Sequence, residues 1–374
     1  MDKHLHIVCF AVPYPVVYGG LFDLYYKLIA LHGAGIKIHL HCFTENDMRH
    51  QELDKYCAST HYYPRKKGVR GLSFTLPYIV SSRSSEKLKQ NLLGDDYPVL
   101  LEGVHCTGLL DDHAFVSRRI ILRLHNVEYE YYHKLSLHSS SLYKKIYYLL
   151  ESKLLRTYES RIAGRPDLIL TVSENDKQIY ETQFGADNVQ FLPVFTGYNK
   201  VNVEPGTGCF CLYHGNLSVA ENEKAVIWLL SEVFKNLKIP LIIAGKNPSG
   251  RLLKIVKQLD HANIVPNPSF AEMQDLVKKA QCHILPSFNS TGVKLKLINA
   301  LYNGRHCIVN SVGAAGSGME VLCETANSPE AFHEAIGRLF TQPLTSNDIL
   351  YRSQVLGKLF DNKKNAEWLI RKLW

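Results

Sequence analysis

The strongest constraint on this chain is a rhythm: a short apolar run followed by a longer amphipathic run, repeated along most of its 374 residues. HLHIVCF (4–10) reads as a first strand, and GLFDLYYKLIALHGAG (20–35) reads as an amphipathic helix closed by glycine. IKIHLHCF (36–43) alternates as a strand does, and PVLLEG (98–103) and RIILRLHN (119–126) are two further apolar strands. A long amphipathic helix is expected from about 140 to 163, ending at Gly164. DLILTVS (167–173) follows as a strand, Ser173 caps the helix ENDKQIYETQFG, and NVQFLPVF (188–195) ends this half. Residues 196–207, TGYNKVNVEPGT, are polar and aperiodic, as a linker is.

The rhythm then restarts. CFCLYHG (209–215), PLIIAG (240–245), NIVPN (263–267), QCHILPS (281–287) and RHCIVNS (305–311) read as strands. The segments 220–237, 251–259, 270–280 and 328–340 read as helices. Such alternation makes parallel sheets covered on both faces. The expected architecture is α/β: two doubly wound, Rossmann-like domains facing a cleft. The first spans 1–197 and the second 205–345. The apolar, helical C-terminal segment, about 347–374, needs a surface on which to dock.

Composition narrows the class. No apolar run approaches the roughly 20 residues needed to cross a bilayer, and the start reads as a strand rather than a secretion signal. The nine cysteines form no C-x-x-C pair and most sit in apolar runs, so buried reduced thiols and a cytoplasmic location are expected. The 17 histidines include no H-x-x-x-H pair on a convincing helix, and no metal is expected. The formal charge of +8 suits an anionic ligand or surface, but no nucleic-acid module is recognisable and no nucleic-acid partner is expected.

In doubly wound sheets, ligands bind at the carboxyl ends of strands. Those strand exits are therefore the candidate site. Gly19 and Gly20 open a helix, where free N–H groups favour an anion; a plain tight turn also explains them. His125 leaves a strand beside Asn126 and near Glu128, placed either to contact a sugar and move a proton or to bond nearby backbone. Gly215 and Asn216 leave the first strand of the second half, and Lys246 leaves another; the lysine is also explained as a solvated loop residue. NSTGVKLKLINAL (289–301) holds Thr291, Gly292, Val293, Lys294, Lys296 and Asn299 at a helix entry. On a regular helix, positions two apart diverge by roughly 200°, so Lys294 and Lys296 are not expected to share a ligand. Lys294, nearer the entry, is the better phosphate ligand.

These segments, with VGAAGSGME (312–320), resemble in order and spacing the GT-B glycosyltransferases of the retaining family 4 type, the glycosyl transferases group 1. The YGG loop (18–20), LRLHNVEYEYY and DLILTVSENDKQIY of the first half fit as well. The resemblance implies a nucleotide-diphosphate sugar donor, carrying UDP or GDP, held mainly by the second domain. It also implies an acceptor held mainly by the first, a glycan or a lipid-linked glycan, with no cofactor and no essential metal. The C-terminal helix would cross back onto the first domain. By the resemblance, Gly19 and Gly20 lie near phosphate and acceptor, His125 near the transferred sugar, Gly215 and Asn216 at the phosphate, and Lys294 against the diphosphate. His125 and Lys294 are then the catalytic pair. Thr291, Gly292, Val293, Lys246 and Asn299 belong to the donor site.

The chain departs from the family at two acids. Thr291 and Asn299 stand where the family usually has glutamates eight positions apart. One branch, with the form G-T-[KR]-x-K-x-x-E, lacks the first; here Val293 and Asn299 depart from that form too. The basic pair common after the first strand of the second domain is missing as well, leaving only Lys224. A polysaccharide-building hexosyltransferase is the leading reading; a non-catalytic GT-B module in a glycan assembly complex and another sugar-nucleotide enzyme on this fold are the alternatives. YYPRKKGVR (62–70) and the basic positions Lys144, Lys145, Lys153 and Arg156 fit either a solvated face or a peripheral contact with the inner membrane surface.

Overall fold

The computed structural model describes residues 2–16, 19–45, 49–139 and 141–374. Tyr18 of the YGG loop and Ser140, at the expected start of the long helix, lie outside the described residues. The chain divides into two compact units, Met1–Gly197 with Thr291–Val293 and Phe360–Trp374, and Tyr198–Ser290 with Lys294–Leu359. No described helix is long and apolar enough to cross a membrane.

The first unit holds seven parallel strands: β1 (His4–Cys9), β2 (Lys37–Thr44), β3 (Ser59–Pro64), β4 (Val99–Glu102), β5 (Ile120–Arg123), β6 (Leu168–Thr171) and β7 (Val189–Phe191). Their order is β3-β2-β1-β4-β5-β6-β7, so the winding reverses between β1 and β4. The second unit holds β8 (Cys211–Asn216), β9 (Leu241–Lys246), β10 (Ala262–Pro266), β11 (Cys282–Ile284), β12 (His306–Val309) and β13 (Glu324–Thr325). These are ordered β10-β9-β8-β11-β12-β13, reversing between β8 and β11. Each reversal opens a crevice at the carboxyl ends of the flanking strands.

The strands form because their runs are apolar: all four residues of β4, β5 and β6 are buried. Helix starts follow local chemistry. Ser173 accepts the N–H of Asp176, and Gly185 closes that helix at φ +66°. Ser269 and Glu272 make a reciprocal capping box.

Several elements differ from the sequence reading. The long helix is Leu142–Ile162, preceded by a separate helix, Glu128–His138. The expected helix 220–237 stops at Trp228 and finishes as a π turn, Leu229–Val233. The C-terminal segment is two helices, Ser346–Leu359 and Asn362–Leu373, because Asp361 caps a new start by accepting the Lys364 N–H. The second of these packs with the first unit, burying Ala366, Leu369 and Leu373 in its core.

On one face of the first sheet, histidines of adjacent strands bond in series. His6 Nε2 lies 3.0 Å from Asp95 Oδ1, His6 Nδ1 lies 2.8 Å from His41 Nε2, and His41 Nδ1 lies 2.8 Å from the Tyr63 hydroxyl. A carboxylate only accepts, so His6 donates from Nε2 and accepts at Nδ1, and His41 donates from Nε2 and accepts from Tyr63. One tautomer of each ring satisfies the series, and both rings are neutral. Burial pushes the His41 pKa down to about 2, with the neighbouring histidines adding to the shift.

The unfolded chain therefore takes up a proton at His41 near pH 6.5 that the folded chain refuses. The stabilising contribution of neutral His41 is complete above pH 6.5 and is lost as the pH falls below it, by about 1.4 kcal/mol per pH unit. His41→Gln keeps a donor and an acceptor without that proton. The stability difference between native chain and variant, from urea unfolding, is expected to shift toward the variant by that slope between pH 6.5 and pH 5. A pH-independent difference would contradict the neutral relay.

Candidate functional site

At the reversal of the first sheet, five charged or polar side chains close on one another. Glu102 ends β4, Arg123 ends β5, His125 follows β5, and Asp23 and Lys27 lie one turn apart on the helix Gly19–Gly33. Lys27 Nζ bonds Glu102 Oε1 at 2.7 Å and Asp23 Oδ2 at 3.1 Å. Arg123 bonds both Asp23 oxygens, at 3.1 and 3.2 Å, and also donates to the carbonyls of Thr171, Leu192 and Pro193. The Phe195 N–H adds a 2.7 Å bond to Asp23. Burial alone would raise both acids, but Arg123 and Lys27 hold Asp23 well below the carboxylate range, and Lys27 and His125 hold Glu102 below it. Two cations balance two anions.

That lattice sets His125. Its Nε2 lies 3.0 Å from Glu102 Oε2, so this nitrogen donates, while Nδ1 lies 3.8 Å from Asp23 Oδ2. The ring packs edge-on to Phe10, and a methyl at Gly20 would come within 2.9 Å of Phe10 Cζ and 3.7 Å of His125 Cγ. Gly20 thus leaves the room that the two rings occupy; Gly19 is exposed. Asp23, Glu102 and His125 could each offer an atom to a cation, all within 4.8 Å of one another. Lys27 and Arg123 already neutralise both carboxylates, so a divalent ion would unbalance the set by two charges.

A second buried acid group flanks this one. Glu159 accepts the N–H groups of Glu128 and Tyr129, at 3.0 and 2.8 Å, and the Tyr180 hydroxyl at 2.8 Å, capping the helix that Glu128 begins. Burial, with Glu159 adding, pushes Glu128 up to about 8. Asp176 accepts the N–H of Gly292 at 3.0 Å. Gly292 has φ +66°, and a methyl there would strike Asn126 Oδ1 and the His125 carbonyl, so only glycine fits this turn. Thr291 is buried and Val293 half-buried beside it.

At the reversal of the second sheet, β8 ends in Gly215 and Asn216, and the Glu221 carboxylate of the following helix reaches across to the exit of β11. It accepts the Ser287 hydroxyl at 2.9 Å and the Phe288 N–H at 3.1 Å. Asn222 donates to the Asn216 carbonyl at 2.9 Å. Lys296 Nζ lies 3.3 Å from both the Tyr213 hydroxyl and Asn222 Oδ1, and 4.8 Å from the Tyr213 ring centroid. Burial brings the Lys296 pKa down to about 8, opposed by Glu221 and aided by Lys294.

Residues 209–342 match the family model of the glycosyl transferases group 1. This stretch is similar to the group 1 glycosyl transferases. Over the full length the fold is GT-B. The chain superposes on sucrose-phosphate synthase from Thermosynechococcus elongatus with a TM-score of 0.71 at 15% identity, covering 99% of this chain and 98% of that one. It superposes on Anabaena HepE in complex with UDP and glucose with a TM-score of 0.66 at 11% identity, covering 99% of both chains. In sequence it is 29% identical over 327 residues, 82% of each chain, to an uncharacterized 44.6 kDa protein in the cps region of Klebsiella pneumoniae.

Within the matched stretch, Lys294 is the N-cap of the helix Leu295–Asn303, with extended backbone at φ −91° and ψ 95°. The rule that positions two apart diverge by roughly 200° holds only inside a regular helix. It does not apply here, and Lys294 and Lys296 are close enough for one charge to lower the other's pKa. Lys296 is therefore not a free surface group: Tyr213 and Asn222 hold it. Lys246 ends β9 with its side chain exposed. Asn299 is half-buried, and its Oδ1 accepts the Asn303 amide at 2.9 Å. Gly215 would tolerate a methyl, whose nearest neighbour would be Asn222 Nδ2 at 3.5 Å. Packing demands its partner instead: a methyl on Gly245 would overlap the Gly215 carbonyl oxygen.

Sequence reading missed Asp23, Lys27, Arg123, Tyr213 and Asn222. The signal was present in part: Glu102 and Arg123 each end an otherwise apolar strand, and Asp23 and Lys27 sit four apart on the apolar face of LFDLYYKL.

Proposed function

We propose that this chain is a retaining hexosyltransferase that moves a sugar from a UDP- or GDP-sugar to a glycan or lipid-linked acceptor in polysaccharide synthesis. It works at the cytoplasmic side of the membrane, without a resident cofactor or metal. The observation that carries the reading is the pair Lys294 and Lys296 at one helix entry, with Lys296 tied to Tyr213 and Asn222 at the exit of β8. Two cations beside a helix N-terminus suit a diphosphate, and they stabilise the charge that grows on it as the glycosidic bond breaks. His125, its tautomer fixed by Glu102, is the group of the first unit assigned to position the sugar.

Asn299 offers the ribose a neutral amide where the family usually offers a carboxylate. That costs on the order of 1–3 kcal/mol, roughly ten- to a hundredfold in donor affinity. Calorimetry with a panel of UDP- and GDP-sugars tests the reading. Binding of one base series at micromolar to sub-millimolar concentration is expected, tightened by Asn299→Glu. No binding of any donor at millimolar concentration overturns it. A donor that binds but is neither hydrolysed nor transferred, by the native chain or by Asn299→Glu, favours the non-catalytic module.

A further inference from the structure

At the exit of β8, one side chain meets groups that arrive from three places in the second unit. Asn222 stands in the first turn of the helix Ala220–Trp228. Its Nδ2 donates to the Asn216 carbonyl at 2.9 Å. Its Oδ1 accepts from the Tyr213 hydroxyl at 3.1 Å and from Lys296 Nζ at 3.3 Å. The partners fix the orientation of the amide, because a carbonyl only accepts and an ammonium only donates. Tyr213, which is buried, completes the ring of bonds by accepting from Lys296 at 3.3 Å.

Asn216 is held from its other side as well. Its Oδ1 accepts the N–H and the hydroxyl of Ser218, at 3.1 and 2.7 Å, and its carbonyl also accepts the Val219 N–H at 3.2 Å. The loop after β8 is thus folded on itself, and the Asn222 amide joins it to Lys296. The amide is suited to both bonds at once. An aspartate at 222 would accept from Lys296 but could not donate to the Asn216 carbonyl, and a leucine of similar size would do neither.

We propose that Asn222 is a positioning residue for diphosphate binding, holding the Lys296 ammonium beside the Gly215–Asn216 exit so that a diphosphate meets both as one preformed surface. A free lysine samples many rotamers, and fixing it before the ligand arrives removes that ordering cost from binding. The inference rests on the diphosphate reading of Lys294 and Lys296.

The groups facing Lys296 define how it titrates. Glu221 acts on it from the helix Ala220–Trp228 and Lys294 from its own helix entry, and with burial they leave its pKa at about 8. Tyr213 and His214 face it from β8. Burial raises the Tyr213 pKa and lowers that of His214 to about 3, so both stay neutral between pH 7 and pH 10. Asn222 does not titrate, so replacing it shifts the profile through Lys296. Asn222→Leu removes an acceptor of the charged ammonium and lowers its pKa; Asn222→Asp sets a carboxylate beside it and raises its pKa.

Calorimetry with UDP and GDP from pH 7 to pH 10 on the native chain and the two variants is the test. Asn222→Leu is expected to weaken nucleotide binding about tenfold at pH 7. It should also move the fall in affinity, which follows the loss of the Lys296 proton, to lower pH. Asn222→Asp is expected to weaken binding as well, through its added negative charge, but to move that fall to higher pH. A merely structural side chain would weaken binding without displacing the fall in opposite directions. If the native chain binds and both variants bind equally well, or their profiles do not part in these directions, the proposal is overturned and the diphosphate reading stands. If the native chain binds neither nucleotide, the diphosphate reading fails and the proposal falls with it.

Discussion

Asp23→Ala is expected to lower the stability of the first unit by about 3–5 kcal/mol. Asp23 is 1% exposed and is the carboxylate that Arg123 grips with two nitrogens; it also serves Lys27 and the Phe195 N–H. Its removal leaves Arg123 facing three carbonyls and Lys27 facing Glu102 alone, with one buried cation uncompensated. The desolvation of that cation stays while the attraction offsetting it is lost, which is why breaking a buried pair costs far more than forming it returned. Urea unfolding of the native chain and the variant reads the difference from the shift in midpoint at constant slope. A loss under about 1 kcal/mol would contradict the balanced set, because that is the scale of an exposed pair. Replacing both partners, Asp23→Asn with Arg123→Met, should recover much of the loss, since neutrality returns. In the same variants His125 loses the charge beside Nδ1, so the site loses orientation along with stability.

That set also shows where reading the chain stops. The strand and helix alternation made two parallel sheets legible, because buried parallel strands are written as short apolar runs such as VLLE and IILR. The exits carrying His125 and Gly20 were legible for the same reason. The partners of His125 were not. Positions 23, 27, 102 and 123 meet only because β1 lies between β2 and β4, and strand order is not written locally. The helix Glu128–His138 escaped because its buried residues are Glu128 and Ser136, so no apolar stripe announces it. β3 escaped as an edge strand, STHYYP, with one buried residue and no alternation. The helical spacing of the lysine pair was not legible at the helix boundary. Two residues at the start of a helix were given helical spacing, while the first of them is the cap, in extended backbone.

On the diphosphate reading of this helix entry the two lysines act together, and removing them is expected to have the largest effect on nucleotide binding. Lys294→Ala should weaken UDP or GDP binding by about ten- to a hundredfold, the worth of one charge-assisted bond of about 1.5–3 kcal/mol. With Lys296→Met added, the loss should reach about a thousandfold. Their titration distinguishes a coupled pair from two independent lysines. Burial, opposed by Glu221 and aided by the charge of Lys294, brings the Lys296 pKa down to about 8. Lys296 is cationic below that value and neutral above it, so diphosphate affinity should fall as the pH rises through about 8. Lys294→Ala removes a like charge, so the residual fall should move to higher pH. Lys296→Met should abolish the fall near that pH altogether, having no proton to lose there. Calorimetry with UDP and GDP from pH 7 to pH 9 on the native chain and the three variants reads all of this in one series. A native profile flat across that range, or a midpoint unmoved by Lys294→Ala, would mean that the two lysines do not act on one ligand.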